Sequence, residues 1–170
     1  MSNEFNVYDF ITFCDECDLV LESVISNIKK VDNGKLWKNY KNAFDTLIGN
    51  LYSEEELSLK HALEKHSDKD TADSKDDGVN IISYFDSKRE LYRTLISLIK
   101  SNSNDVYYGL MAYFNEIKLE IDTRKRIGYV RENDSDVPTT KVRIIIGVIR
   151  NEYSPRYVDK LFIRTVYPIM

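Results

Sequence analysis

The sequence predicts an α+β fold, with N-terminal helices followed by a C-terminal antiparallel sheet of three to four strands. Three observations carry this. Apolar residues recur at helical spacing as far as residue 121. After residue 122 β-branched and aromatic residues take over, in segments separated by turn sequences. The 42% apolar content of a 170-residue chain is enough for a real core, and no internal repeat interrupts it.

In the first element, Val7, Phe10, Ile11, Cys14, Leu21, Val24, Ile25 and Ile28 form one stripe of a long helix, closed by the turn signal "VDNGK". Trp37, Tyr40, Phe44, Leu47, Ile48 and Leu51 mark the face of a second helix. Ser53 with Glu56 three residues later has capping-box spacing and starts a third, expected to run to about His66. "SDKDTADSKDDG" is polar and ends in Gly, so it is expected to be a solvated loop. "VNIIS" follows as a short strand or lead-in. A helix over Tyr84–Lys100, capped by Asp86 or Ser87, precedes another bearing Tyr107, Leu110, Met111, Phe114, Ile117 and Ile121. "RIGYVR", "TKVRIIIGVIR" and "DKLFIRTVYPI" then read as strands. The run Val142–Ile149 is apolar on both faces and is expected to be central. Residues 1–52 are expected to be a helical extension and 53–170 a helix-plus-sheet domain, with one continuous domain over 1–170 as the alternative.

Charge is divided unevenly. Residues 1–78 hold 9 Lys and Arg against 17 Asp and Glu, a net −8; residues 79–170 hold 15 against 11, a net +4. Polyanion contact therefore belongs to the back half. No stretch of 18 apolar residues and no secretory signal is found, so a cytoplasmic chain without membrane contact is expected. The absence of a Gly-rich phosphate loop, G-x-S-x-G and H-E-x-x-H argues against a nucleotide cofactor and against serine-hydrolase and zincin chemistry. Cys14-x2-Cys17 and His61-x4-His66 have zinc-like local spacing, but 43 residues separate the pairs and Cys14 sits on a helical core stripe. No metal and no other cofactor is expected.

The candidate site residues come from two places. "LSLKHALEKHS" holds both histidines, His61 and His66, with Lys60 and Lys65 beside them; the alternative is that both histidines lie on a solvated helix face. In the basic half, Arg126, Arg143 and Arg164 lie in or near strands, where a guanidinium needs solvent, a carboxylate or a phosphate. Glu132, Glu152 and Asp159 are the carboxylates that would satisfy such arginines without any ligand.

Taken together, "LSLKHALEKHS" and the terminal "LFIRTVYPI" resemble the superfamily of small metal-independent ribonucleases related to barnase, EndoU, colicin-type nucleases and RelE. The resemblance covers about residues 53–170 and departs from the family in net acidity and in two intervening helices. It implies an endoribonuclease of toxin type that cleaves RNA by 2′-hydroxyl attack. Under it His61 or His66 is the acid/base and Thr165 and Tyr167 position the phosphate. Lys65, Arg126, Arg143 and Arg164 would bind substrate. Strand alternation sets Thr165 and Tyr167 on one face and Arg164 on the other, unless the strand twists or bulges. The rival from another class is a small acidic binding protein: an immunity protein, an antitoxin, or a viral or phage inhibitor of a host factor. "CDECD" and "YSEEE" suit docking onto a basic surface. A protein partner is expected in either case, and RNA only in the first.

Overall fold

The computed structural model describes residues 21–53, 59, 65–75 and 81–170. In chain order these form helix α1 (Leu21–Lys30), a 3-10 turn (Val31–Gly34), α2 (Lys35–Tyr52), α3 (Lys69–Lys75), strand β1 (Ser83–Phe85), α4 (Lys88–Ser101), α5 (Ser103–Met111) and strands β2 (Glu116–Asp122), β3 (Gly128–Glu132), β4 (Ser135–Thr139), β5 (Lys141–Arg150) and β6 (Val158–Ile169). The architecture is α+β. Cys14, Cys17, His61 and most of the expected third helix lie outside the described residues.

Local chemistry explains the element ends. The "VDNGK" turn places Asp32, Asn33 and Gly34 at positive φ, a run that only short polar residues and Gly tolerate, and this reverses the chain between α1 and α2. Ser87 caps α4, its Oγ accepting from the Glu90 N–H at 3.2 Å. Asn133 and Asp134, both at positive φ, make the two-residue loop joining β3 to β4, whose twist suits a hairpin.

The strands form two three-stranded antiparallel sheets, ordered β1-β3-β4 and β2-β5-β6. The expected single sheet of three to four strands is corrected accordingly. The chain passes from one sheet to the other at a corner around Thr139–Thr140. There the Thr139 Oγ donates to the Ile169 carbonyl and accepts from the Lys141 N–H. β5 is central in its sheet, as its apolar run anticipates. Gly128 is required where the sheets meet, because a Cβ there would collide with the Tyr84 carbonyl oxygen and the Pro168 ring.

One face of β2-β5-β6 presents Ile117, Leu119, Val142, Ile144, Ile146, Val148, Leu161, Ile163 and Val166 to the helices. Leu36, Tyr40, Leu47, Leu51, Leu95, Ile99 and Leu110 meet them in one core. The side-chain amide of Asn39 bonds both the N–H and the C=O of Val158, at 2.8 and 3.0 Å, and so fastens α2 to the start of β6. Arg150 passes under the end of α5, with Nη2 donating to the Leu110 and Phe114 carbonyls at 2.9 and 3.0 Å. Leu110 is in the last turn of α5, where its carbonyl also accepts from the Tyr40 hydroxyl at 3.2 Å, and Phe114 lies in the turn that follows.

Two further expectations are corrected. The helix expected through Ile121 stops at Met111, Tyr113 takes positive φ, and Glu116–Asp122 is a strand. Ile117 and Ile121 fit a helical stripe with Phe114, but Ile117, Leu119 and Ile121 alternating with Glu116, Lys118 and Glu120 fit a half-buried strand better. The polar "SDKDTADSKDDG" is not all loop. Asp68 accepts from the Thr71 N–H at 2.8 Å and starts α3, whose Ala72 is buried with Ile82 and Tyr84.

Candidate functional site

The face of β2-β5-β6 turned away from the helices is organised in cross-strand rows. Glu120, Arg143 and Tyr167 form one row, Lys118, Ile145 and Thr165 the next, and Glu116, Gly147 and Phe162 a third. Because side chains alternate along a strand, residues opposite one another on adjacent strands share a face.

The first row is the most connected. Arg143 lies between a carboxylate and a phenol: Nε and Nη2 reach Glu120 Oε1 at 2.8 and 2.6 Å, and Nη1 donates to the Tyr167 hydroxyl at 2.9 Å. The Tyr167 hydrogen bond, reinforced by Glu120 and opposed by partial burial, raises the guanidinium pKa above its ordinary value. The group is cationic at any working pH. Since the Tyr167 oxygen accepts from Arg143, its own O–H proton remains available to donate elsewhere.

His66 meets this row from outside the sheet. Its ring stacks on that of Tyr167, with centroids 5.4 Å apart and planes inclined by 28°. Nδ1 lies 2.7 Å from the carbonyl oxygen of Ser83, the first residue of β1. A carbonyl only accepts, so Nδ1 carries the proton. In the neutral ring the lone pair is therefore on Nε2, which becomes the atom able to take up a proton. The two sheets thus divide the work: β6 supplies the ring under the imidazole and β1 sets its tautomer.

Thr165 stands one row on. Its Oγ1 is enclosed and, among the described residues, has no hydrogen-bond partner. A hydroxyl left this way costs about 1–3 kcal/mol. Next to it the pairing slips, with Thr165 opposite Ile145 and Ile163 opposite Ile146, so Arg164 is the extra residue of a β-bulge. The bulge removes the conflict expected from strict alternation. Arg164 is exposed, with its guanidinium 5.6 Å from the centre of the Phe162 ring, on the same face as Thr165 and Tyr167.

Other candidates lie apart. Arg126 is bound to Asp86 at 3.3 Å and lies over the Tyr129 ring of the other sheet. Lys65 is exposed beside His66. The arginines in and near the strands find Glu120, Asp86, Asp73 and Asp136 as partners, rather than Glu132, Glu152 or Asp159. Arg131, which bonds Asp136 at 2.7 Å, holds that carboxyl below the usual range, and Asp136 in turn accepts from the Tyr84 hydroxyl at 2.5 Å. Among the described residues no group of three or more His, Cys, Asp or Glu is placed to hold a metal ion, and no helix is long and apolar enough to cross a membrane.

Sequence reasoning missed Glu120 and Ser83. Glu120 is concealed by the helical spacing around it, although the strict alternation of residues 116–122 was a usable signal. Ser83 contributes only a backbone carbonyl, so no side-chain motif can reveal it.

No protein-family model and no curated protein matches this chain. Among solved structures, it is similar to a chain of the CdiA-CT/CdiI complex from Y. kristensenii. The TM-score is 0.50 and the identity 22%, over 65% of this chain and 99% of that one. The likeness is one of fold.

Proposed function

We propose that this protein is a metal-independent endoribonuclease of toxin type, related to the barnase/EndoU/colicin/RelE-like ribonucleases. The observation that carries the proposal is the stacking of His66 on Tyr167, with Arg143 bonded to the same tyrosine hydroxyl. This groups a proton acceptor, a fixed cation and a hydroxyl donor in the way phosphodiester transesterification requires. The fold shared with a chain of a CdiA-CT/CdiI toxin–immunity complex supports a role in such a pair.

In this scheme His66 Nε2 removes the proton of the ribose 2′-hydroxyl, whose oxygen attacks the adjacent phosphorus. The Ser83 carbonyl holds Nδ1–H throughout and favours the imidazolium that results. Arg143 and the Thr165 hydroxyl stabilise the extra negative charge of the phosphorane. The phosphorus–5′-oxygen bond then breaks, and the leaving oxygen takes a proton from the Tyr167 hydroxyl or from His61. The products are a 2′,3′-cyclic phosphate and a free 5′-hydroxyl. For the phosphate to reach Arg143, Glu120 must give up part of its contact, and for it to reach Thr165 the cover over Oγ1 must shift. Lys65, Arg126 and Arg164 contribute positive charge to the approach of the RNA backbone. End-group analysis of cleaved RNA tests the scheme: cyclic phosphate ends are expected, whereas 5′-phosphate ends would overturn it.

One observation favours a second reading, a non-catalytic binding protein of the immunity or inhibitor class. Arg143 is already paired with Glu120 at 2.6 Å, which would satisfy the strand arginine with no ligand at all. Expression of the chain separates the two readings: growth arrest relieved by His66→Ala supports the ribonuclease, and unimpaired growth supports the binding protein.

A further inference from the structure

The third row of the exposed sheet face is unused by the chemistry above, and it has a distinct composition. Phe162 is half-buried, and the far end of its ring lies directly over Gly147 on the neighbouring strand. Any Cβ at residue 147 would enter the space of the ring, so glycine is what lets the ring lie close to the sheet. The bulged Arg164 places its guanidinium 5.6 Å from the ring centre, and the exposed Glu116 flanks the row. Between this row and Tyr167 stand Lys118, Ile145 and the Thr165 hydroxyl, which has no hydrogen-bond partner among the described residues.

An aromatic ring held close to a sheet with an adjoining exposed guanidinium is the equipment of a stacking platform for single-stranded nucleic acid. Every base has a π-face and every linkage a negative charge. Spacing indicates which base it takes. From Arg143 to Gly147 is four residues of β5, about 14 Å at the strand rise. That is farther than the base of the nucleotide carrying the attacking hydroxyl can reach from its own phosphate.

Resting on the ribonuclease reading, we propose that Phe162 and Arg164 form a subsite for single-stranded RNA, which stacks a base beyond the cleaved pair of nucleotides, with the strand laid along β5 from Tyr167 towards Phe162. The subsite selects for length and single-strandedness more than for sequence, because stacking is tolerant of base identity. Phe162 and Arg164 share a face by regular alternation, and the bulge that follows brings Thr165 and Tyr167 to that same face.

The test measures binding on a His66→Ala background, with a labelled single-stranded RNA hexamer and a dinucleotide followed by fluorescence anisotropy. The parent is expected to bind the hexamer more tightly than the dinucleotide. Phe162→Leu retains apolar bulk but has no π-face, and is expected to weaken hexamer binding about 5- to 100-fold, whereas Phe162→Trp stays within about twofold of the parent. Gly147→Ala, which displaces the ring without removing it, is expected to weaken the hexamer in the same direction. Arg164→Gln is expected to lower the salt dependence of binding by about 0.7 in log–log slope, which Phe162→Leu does not change. A folded Phe162→Leu protein that binds the hexamer as tightly as the parent overturns the subsite, as does equal affinity of the parent for hexamer and dinucleotide. Both outcomes leave the ribonuclease reading intact when the unmutated protein cleaves RNA; an unmutated protein without cleavage removes that reading itself.

Discussion

The imidazole of His66 lies against the phenol of Tyr167, with ring centres 5.4 Å apart, although a hundred residues of chain separate them. The contact exists because β1 and β3 pack against the C-terminal half of β6 and bring the Ser83 carbonyl to within 2.7 Å of Nδ1. A residue at the edge of a polar segment is thereby oriented by one sheet and stacked on another. Most of what is expected of the site follows from this arrangement.

Removing the Tyr167 hydroxyl while keeping its ring separates chemistry from packing. Tyr167→Phe retains the stack on His66 but loses the bond from Arg143. RNA cleavage is expected to fall about 10²-fold or more, in the range for a positioned proton-transfer group, with the thermal midpoint shifted by only a few degrees. Kinetics and a thermal melt on the same preparation check this. Unchanged kcat removes Tyr167 from the mechanism.

Arg143 should not tolerate lysine. A guanidinium spans Glu120 and Tyr167 at once because its donors form a planar fork, whereas an ammonium is a single point of charge. Arg143→Lys is therefore expected to lose at least about tenfold in kcat/KM, which corresponds to 1.4 kcal/mol or more. Full activity in the lysine variant would show that the site uses only net charge.

Arg150 is a stability residue. It is partly buried, that burial lowers its pKa, and it donates to the Leu110, Phe114 and Pro155 carbonyls. Arg150→Met removes the bonds by which the end of β5 holds the Leu110, Phe114 and Pro155 carbonyls, and is expected to cost about 2–4 kcal/mol. Urea unfolding measures this directly, and a loss below about 0.5 kcal/mol, the scale of an ordinary surface substitution, would contradict it.

Alkaline pH should unfold the protein earlier than its acidic composition suggests. Burial pushes the Tyr107 hydroxyl up to about 12, and raises Tyr40 and Tyr84 as well; Tyr84 is raised further by its bond to Asp136. Between about pH 10, where unfolded tyrosines ionise, and these higher values, the unfolded chain holds fewer protons than the folded one. Stability is then complete below pH 10 and falls as pH rises through the folded pKa values. Circular dichroism and tyrosinate absorbance are expected to change together, and Tyr107→Phe should shift the onset upward. Gradual ionisation without loss of structure would contradict this.

Much of the fold was legible because single segments carry it. The stripe from Trp37 to Leu51 buries as a helix face should, and the run Val142–Ile149 forms the central strand of its sheet, with one face in the core and the other open. The strand at residues 116–122 was hidden because Phe114, Ile117 and Ile121 satisfy a helical period as well as Ile117, Leu119 and Ile121 satisfy an alternating one. Tyr113 at positive φ, which breaks the ambiguity, leaves no residue-type signal. In the site, the residue types His66, Arg143, Thr165 and Tyr167 were readable, but their grouping was not. It depends on a bulge at Arg164 and on a backbone carbonyl from β1, and both arise from tertiary packing.

Cleavage of labelled single-stranded RNA in EDTA, with the unmutated protein and His66→Ala side by side, tests the central claim most directly. The account predicts cleavage by the unmutated protein, ending in 2′,3′-cyclic phosphate, and a loss of about 10²- to 10⁴-fold in the variant. Equal cleavage by both proteins, or none by either, would contradict it.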